Sequence, residues 1–149
     1  MKLEEAIQQK TPFSSHREKA IVNLIYTQSW VSGKMKEHFA HFGITPKQYN
    51  ILRILNGAKQ PVSIAYIRER LLDKLSDVSR IIDRLQGRGL VDKKPSKKDR
   101  RLIDVKLSCA GNELLQKIGN TESGIKNIMS KLSDKEINTL NALLDKIRN

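Results

Sequence analysis

Cysteine occurs once in this 149-residue sequence, at Cys109, so no internal disulfide can form, which fits a reducing compartment. No apolar run approaches the ~18 residues that a membrane span requires. The opening MKLEEAIQQKTPF lacks the apolar centre of a secretory signal, and a cytoplasmic location is expected. Nucleophile, base and orienting group do not assemble into a recognisable set, and no glycine-rich phosphate loop appears, so an enzyme is not expected. Acidic residues are scarce beside basic ones, 16 against 28, leaving a net charge of +12. A domain so basic repels itself, and an anionic partner is the leading explanation. Nucleic acid and an anionic membrane surface are the two candidates. The second is the poorer, because no helix combines a basic face with bulky aromatics.

What the chain does have is helical punctuation. In residues 17–42, Ile21, Leu24, Ile25, Val31, Met35, Phe39 and Phe42 fall on one stripe within about 120° of arc at 100° per residue. Val22, Tyr26 and Trp30 form a second stripe, with the small Gly33, on the far side. Such a helix needs two partners: its own core, and either a second subunit or a ligand pocket. Both faces lying inside one core is the simpler alternative. Thr45-Pro46-Lys47-Gln48 opens the next helix with a cap, a proline at the first position and a capping-box glutamine. Ile44 and Tyr49 are placed as a staple, and the helix runs to about Ala58. An extended Pro61-Val62 follows, and then Ser63 as cap of a helix over about 64–72. A further helix is expected to begin between Asp73 and Ser76 and to end near Gly87-Arg88-Gly89, completing a helix-turn-helix.

That last helix is two-faced. With Ser76 at 0°, Val78, Ile81, Ile82 and Leu85 lie between about 140° and 240° at 100° per residue. Ser76, Ser79, Arg80, Asp83 and Arg84 occupy the other half, and their hydroxyls and guanidiniums suit base edges and phosphates. An ordinary solvated face would look the same. The stretch after it separates the two readings. Leu90-Val91 opens an extended segment, and Leu102 to Leu107 reads as a strand with Ile103, Val105 and Leu107 on one face. Between them, PSKKDRR forms the tip of a basic hairpin, the wing of a winged helix, placed to reach phosphates or a narrow minor groove. Asp99, two residues before Arg101, is expected to hold that guanidinium in one orientation. Lys74, Ser76, Asp77, Ser79, Arg80 and Arg84 are the candidate major-groove residues. Arg100, Arg101 and Asp99 are the candidate wing contacts, with Lys97 and Lys98 on phosphates.

DVSRIIDRLQGRGLVDKKPSKKDRRLIDVKLSCAG, residues 77–111, resembles the multiple antibiotic resistance regulator (MarR) family. The matching elements are Ser79 to Leu85, Gly89 to Val91, Asp99 to Arg101 and Leu107 to Gly111, with Ser108 where the family usually has threonine. The resemblance implies a mainly α winged helix-turn-helix with a small β-hairpin wing. It implies one domain, 1–149, in which residues 1–44 and 108–149 are interleaved dimerisation helices and 45–107 the DNA-binding lobe. It also implies a homodimeric transcription regulator, usually a repressor on a pseudo-palindromic double-stranded operator, released by a small, often aromatic effector. Tyr26 and Trp30 are then candidate effector residues, with Arg17 (beside His16) meeting an anionic group, although a structural role at the dimer seam, capping or solvation would serve equally well.

The C-terminal third fits dimerisation. Ser108 is placed to cap a long helix carrying Leu114, Leu115, Ile118, Ile125, Ile128 and Met129, which Gly119 and Ser123-Gly124 weaken. Ser133 and Glu136 form a capping box for a final helix carrying Ile137, Leu140, Leu143, Leu144 and Ile147. Cys109, near a helix start, reads as a half-buried filler rather than a redox sensor. His38 and His41, with Glu37, lack the further ligand a metal site needs, so no metal or cofactor is expected. The rival from another class is a winged helix used only for protein–protein assembly. The basic wing argues against it, since assembly alone needs no such excess of charge.

Overall fold

The computed structural model describes residues 1–97, 99–120 and 124–149. Among these, α1 (Leu3–Ala6) precedes the long α2 (His16–Ala40), followed by α3 (Pro46–Ala58), β1 (Val62–Ser63), α4 (Ile64–Arg70) and α5 (Val78–Gly87). A hairpin of β2 (Val91–Pro95) and β3 (Ile103–Leu107) leads to α6 (Cys109–Gly119), a 3₁₀ turn (Ile125–Met129) and α7 (Asp134–Arg148).

The capping signals act as the sequence indicates. Thr45 and Gln48 cap α3 reciprocally, and Ser133 and Glu136 do the same for α7. Ser63 accepts from the Tyr66 amide to start α4, and Ser108 from the Gly111 amide to start α6. At the end of α5, the Gly89 amide donates to the Gln86 carbonyl and the Leu90 amide to the Leu85 carbonyl. That paired arrangement requires a left-handed residue, and Gly89 supplies it at φ +70°.

One core joins α2 through α6 with the three strands, and α1 and α7 contribute no residue to it. Phe39, Ile51, Leu52, Ile67, Val78, Ile82, Leu85, Val91 and Val105 are almost wholly enclosed. The three strands lie in the order β1-β3-β2, all antiparallel, with Val62 opposite Val105 and Val91 opposite Leu107. β3 is therefore central, and its inward Val105 is fully buried. β1 contributes only two residues, too few for the alternation by which β3 could be read.

Three boundaries depart from expectation. α4 stops at Arg70 rather than near 72, because the chain turns extended at Leu71 and drives that side chain into the core. α5 begins at Val78, two or more residues late, with Asp77 as its cap. The single long helix after Ser108 is instead α6 and a separate 3₁₀ turn. Leu115 and Ile118 are buried, whereas Ile125 and Met129 stay about a third exposed. Glycine costs a helix interior about 1 kcal/mol, so Gly119 and Gly124 make leaving the helix cheap; Ser123 lies outside the described residues. The 3₁₀ turn then packs back on α2, with Gly124 against the His38 ring.

The first stripe of α2 divides along its length, and the aromatic residues of the second share the exposure of its N-terminal half. Met35, Phe39 and Phe42 join the core, but Ile21, Leu24, Ile25, Tyr26 and Trp30 are exposed. Their placement inside one core is thereby ruled out for this chain by itself. On α7, nothing is fully buried, and Leu143 and Ile147 face outward. The chain exposes 11440 Å². A compact monomer of this mass exposes about 7,700 Å².

Candidate nucleic-acid interface

The turn between α4 and α5 is built around Asp73. Its Oδ1 accepts from the Leu75 amide at 3.0 Å, and its Oδ2 from the Ser76 hydroxyl at 2.9 Å. Lys47, from α3, meets the same Oδ2 at 2.7 Å. Lys47 first, then Ser76 and the Leu75 amide, pull the Asp73 carboxyl down to about 2. A second tie runs from the Leu72 amide to Asn50 Oδ1, also on α3, at 3.0 Å. The Lys74 ammonium reaches back to the Glu69 carbonyl at the end of α4. These bonds explain the late start of α5. Asp73 organises residues 74–76 as a side-chain-bonded turn, and Asp77 then caps the helix by accepting the Arg80 amide at 3.1 Å.

The sequence candidates therefore separate. Lys74, Ser76 and Asp77 belong to the turn and cap, with Ser76 half-buried, while Ser79, Arg80, Asp83 and Arg84 stand exposed along α5. Val78, Ile82 and Leu85, opposite them, are at most 1% exposed. Lys93 of β2 pairs with Asp83 at 2.6 Å. That pair offsets the one carboxylate on the outer face and ties α5 to the wing. Among the described residues, the Arg80 and Arg84 guanidiniums have no hydrogen-bond or ion-pair partner.

The wing loop is closed by its own backbone. The Ser96 amide donates to the Leu102 carbonyl at 2.8 Å, and the Leu102 amide to the Asp99 carbonyl at 2.9 Å. Asp99 does not orient the Arg101 guanidinium, contrary to expectation: its Oδ1 accepts the Arg101 backbone amide at 2.9 Å. A carboxylate two residues upstream reaches the amide more readily than the end of a long side chain, as in other Asx turns. Arg100 and Arg101 are both exposed. Lys97 is exposed; Lys98 lies outside the described residues.

The effector candidates do not converge. Tyr26 and Trp30 line a groove of about 230 Å³ together with Met1, Leu3 and Ala6, and Arg17 is absent from its walls. A larger cleft of about 780 Å³ lies between α2, α3, the Asp73 turn and α5. Its walls include Ser32, Met35, Lys36, Tyr49, Leu72, Ile81 and Arg84. The sequence reading missed this cleft because its walls come from four separate segments. α2 gives it Gln28, Ser32, Met35 and Lys36, a mostly polar set that a sequence presents as an ordinary solvated face. Cys109, read as a filler, is exposed at the first position of α6. His38 is half-buried, edge-on to Phe39 and Phe42 at 5.1 and 5.4 Å, and Glu37 pairs with Lys34. Among the described residues no group of three metal-ligating side chains forms.

A helix-turn-helix followed by a basic antiparallel wing defines a winged-helix protein of the DNA-binding class. Comparison with known proteins makes this specific. The MarR family pattern matches residues 42–102. An uncharacterized HTH-type transcriptional regulator of Bacillus subtilis (strain 168), YkoM, is 32% identical over 112 residues, 74% of this chain and 70% of the relative. A variant of Escherichia coli MarR complexed with operator DNA shares the fold with TM-score 0.76 at 20% identity, over 99% of both chains. Bordetella bronchiseptica BpsR, described with regulation of its DNA binding by 6-hydroxynicotinic acid, shares it with TM-score 0.76 at 20% identity, over 89% of this chain and 100% of that one. The chain belongs to the MarR family of winged-helix, DNA-binding transcription regulators.

Proposed function

We propose that the chain acts as a homodimeric repressor, reading a pseudo-palindromic operator with α5 and gripping the flanking backbone with its wing. The observation that carries the reading interface is the division of α5. One half is sealed into the core, and the other presents the side chains of Ser79, Arg80 and Arg84, exposed and without a partner among the described residues. Arg80 and Ser79 are assigned to base edges. Arg100, Arg101, Lys97 and Lys98 are assigned to phosphates and the minor groove. Lys74, Ser76, Asp77 and Asp99 act mainly by fixing the turn, the cap and the wing loop.

The excess of exposed area supports the dimer. Obligate interfaces remove roughly 1,000–2,500 Å² from each chain, and the surplus here is larger than that. The exposed apolar residues of α2 and α7, with the 3₁₀ turn, are where a second copy would cover it. Sedimentation at micromolar concentration is expected to give twice the 17.0 kDa chain mass, and two chains per operator duplex. A well-folded monomer, or one chain per duplex, would overturn this reading.

The cleft beside α5 is the better effector site, since Tyr26, Trp30 and Arg17 do not enclose a common space. It offers an apolar floor and Lys36 and Arg84 for a carboxylate, which suits a small aromatic acid. The ligand named for BpsR is of that class. Titration with 6-hydroxynicotinic acid and related aromatic carboxylates is expected to lower operator affinity; a panel without effect removes the effector from the proposal.

A further inference from the structure

Among residues 73–77, Asp-Lys-Leu-Ser-Asp, a single apolar side chain stands out: Leu75 is 97% exposed. Isolated exposed leucines are ordinary, so exposure alone says little. Position and backbone say more. Leu75 lies two residues before the cap of α5, at the end of the helix that in helix-turn-helix proteins approaches base edges. Its backbone is already fixed. The amide donates to Asp73 Oδ1 at 3.0 Å, the next residue's hydroxyl donates to Asp73 Oδ2, and Lys47 anchors that carboxylate to α3. Leu72, the other exposed leucine of the turn, lines the cleft; Leu75 does not. The turn thus presents one preorganised aliphatic group, and little rotational freedom beyond its own side chain remains to be lost on contact.

The floor of the major groove offers one apolar feature, the C5-methyl group of thymine. We infer that Leu75 is a specificity-determining residue that packs on a thymine methyl in each half-site. The inference rests on the reading of α5 as the groove element. It adds a requirement that Arg80 cannot impose, because a guanidinium selects hydrogen-bond acceptors and not methyl groups. Leu75 would favour thymine over cytosine, which lacks the methyl at the same carbon.

The test begins with duplexes selected by the wild-type protein from a random pool. The consensus duplex is then made with deoxyuridine replacing each thymine in turn, which deletes only the methyl. Burial of one methyl corresponds to about four-fold in affinity, or about fifteen-fold when both half-sites are changed and act independently. One thymine per half-site is expected to show this loss. The Leu75→Ala protein should lose a similar factor on the parent duplex, show no further loss with uracil at that position, and keep wild-type affinity for scrambled DNA. The uracil series on wild-type protein needs no variant, so poor folding of Leu75→Ala would not block the test. Uracil tolerated at every position overturns the inference, as does a uracil loss that persists undiminished in Leu75→Ala. If the wild-type protein selects no consensus at all, the reading of α5 fails and this inference with it; a consensus indifferent to uracil sinks the inference alone.

Discussion

Arg80→Ala is expected to cut affinity for the selected operator by about five- to 150-fold per contact, equivalent to the ~1–3 kcal/mol carried by a good bidentate base contact. Affinity for scrambled duplex should fall far less. The side chain is suited to this role because nothing else occupies it. Its backbone amide is used by Asp77, while its guanidinium has no partner among the described residues. Nearby Asp83, which could have neutralised it, is engaged by Lys93. Lys97→Ala on the wing should behave differently. A phosphate contact carries no sequence information, so both duplexes should weaken alike, and the slope of log affinity against log salt should fall by about one. Affinities for the two duplexes across a salt series, measured on both variants in parallel, distinguish these outcomes. An Arg80→Ala protein with undiminished preference for the operator would remove α5 from the reading role.

Gly111→Ala is expected to destabilise the fold by about 3 kcal/mol, toward the upper end of overpacking penalties. A Cβ at this position would lie 2.2 Å from the Leu90 carbonyl oxygen and 2.8 Å from Leu107 Cδ1. The carbonyl cannot retreat freely, because it accepts the Ser108 amide at 3.2 Å, and the Gly111 amide in turn donates to the Ser108 hydroxyl at 3.0 Å. The first turn of α6 is seated on the start of the wing through these bonds. The expected fall in melting temperature is about 10 °C at fixed protein concentration. Gly57→Ala in α3, where nothing lies within 4 Å of the added carbon, is the matched control and should be neutral or stabilising. A Gly111→Ala protein that melts with the wild type would contradict the close approach of α6 to Leu90.

Much of this architecture is legible locally. The caps at Thr45, Ser63, Ser108 and Ser133 involve partners three residues away, and each forms where its sequence places it. The sealed and open halves of α5 follow from helical period alone, and the hairpin from alternation in Ile103, Val105 and Leu107. What escaped the sequence depends on competition or distance. Asp73, Ser76 and Asp77 are all eligible to start α5, and the bonds that hold Asp73 in the turn include a distant one, from Lys47 on α3. Asp99 had two donors of Arg101 to choose between, and the nearer one prevailed. β1 pairs with a strand more than forty residues away and is too short to announce itself. The break after Gly119 was foreshadowed by glycine, but its direction was set by the available face of α2 at His38.

Arg84 has a double position. It stands on the exposed half of α5 and also borders the cleft. One guanidinium cannot fully serve an anion in each place, so occupancy of the two sites would be antagonistic even without movement of any helix. Thermodynamic reciprocity then fixes the converse: whatever factor a cleft ligand takes from operator affinity, operator must take from ligand affinity. Regulator seated on DNA would answer weakly to a low ligand concentration, while the unbound pool would fill first. Under the repressor reading proposed above, the ligand concentration that half-fills the cleft would be higher on operator-bound protein than on free protein by that same factor.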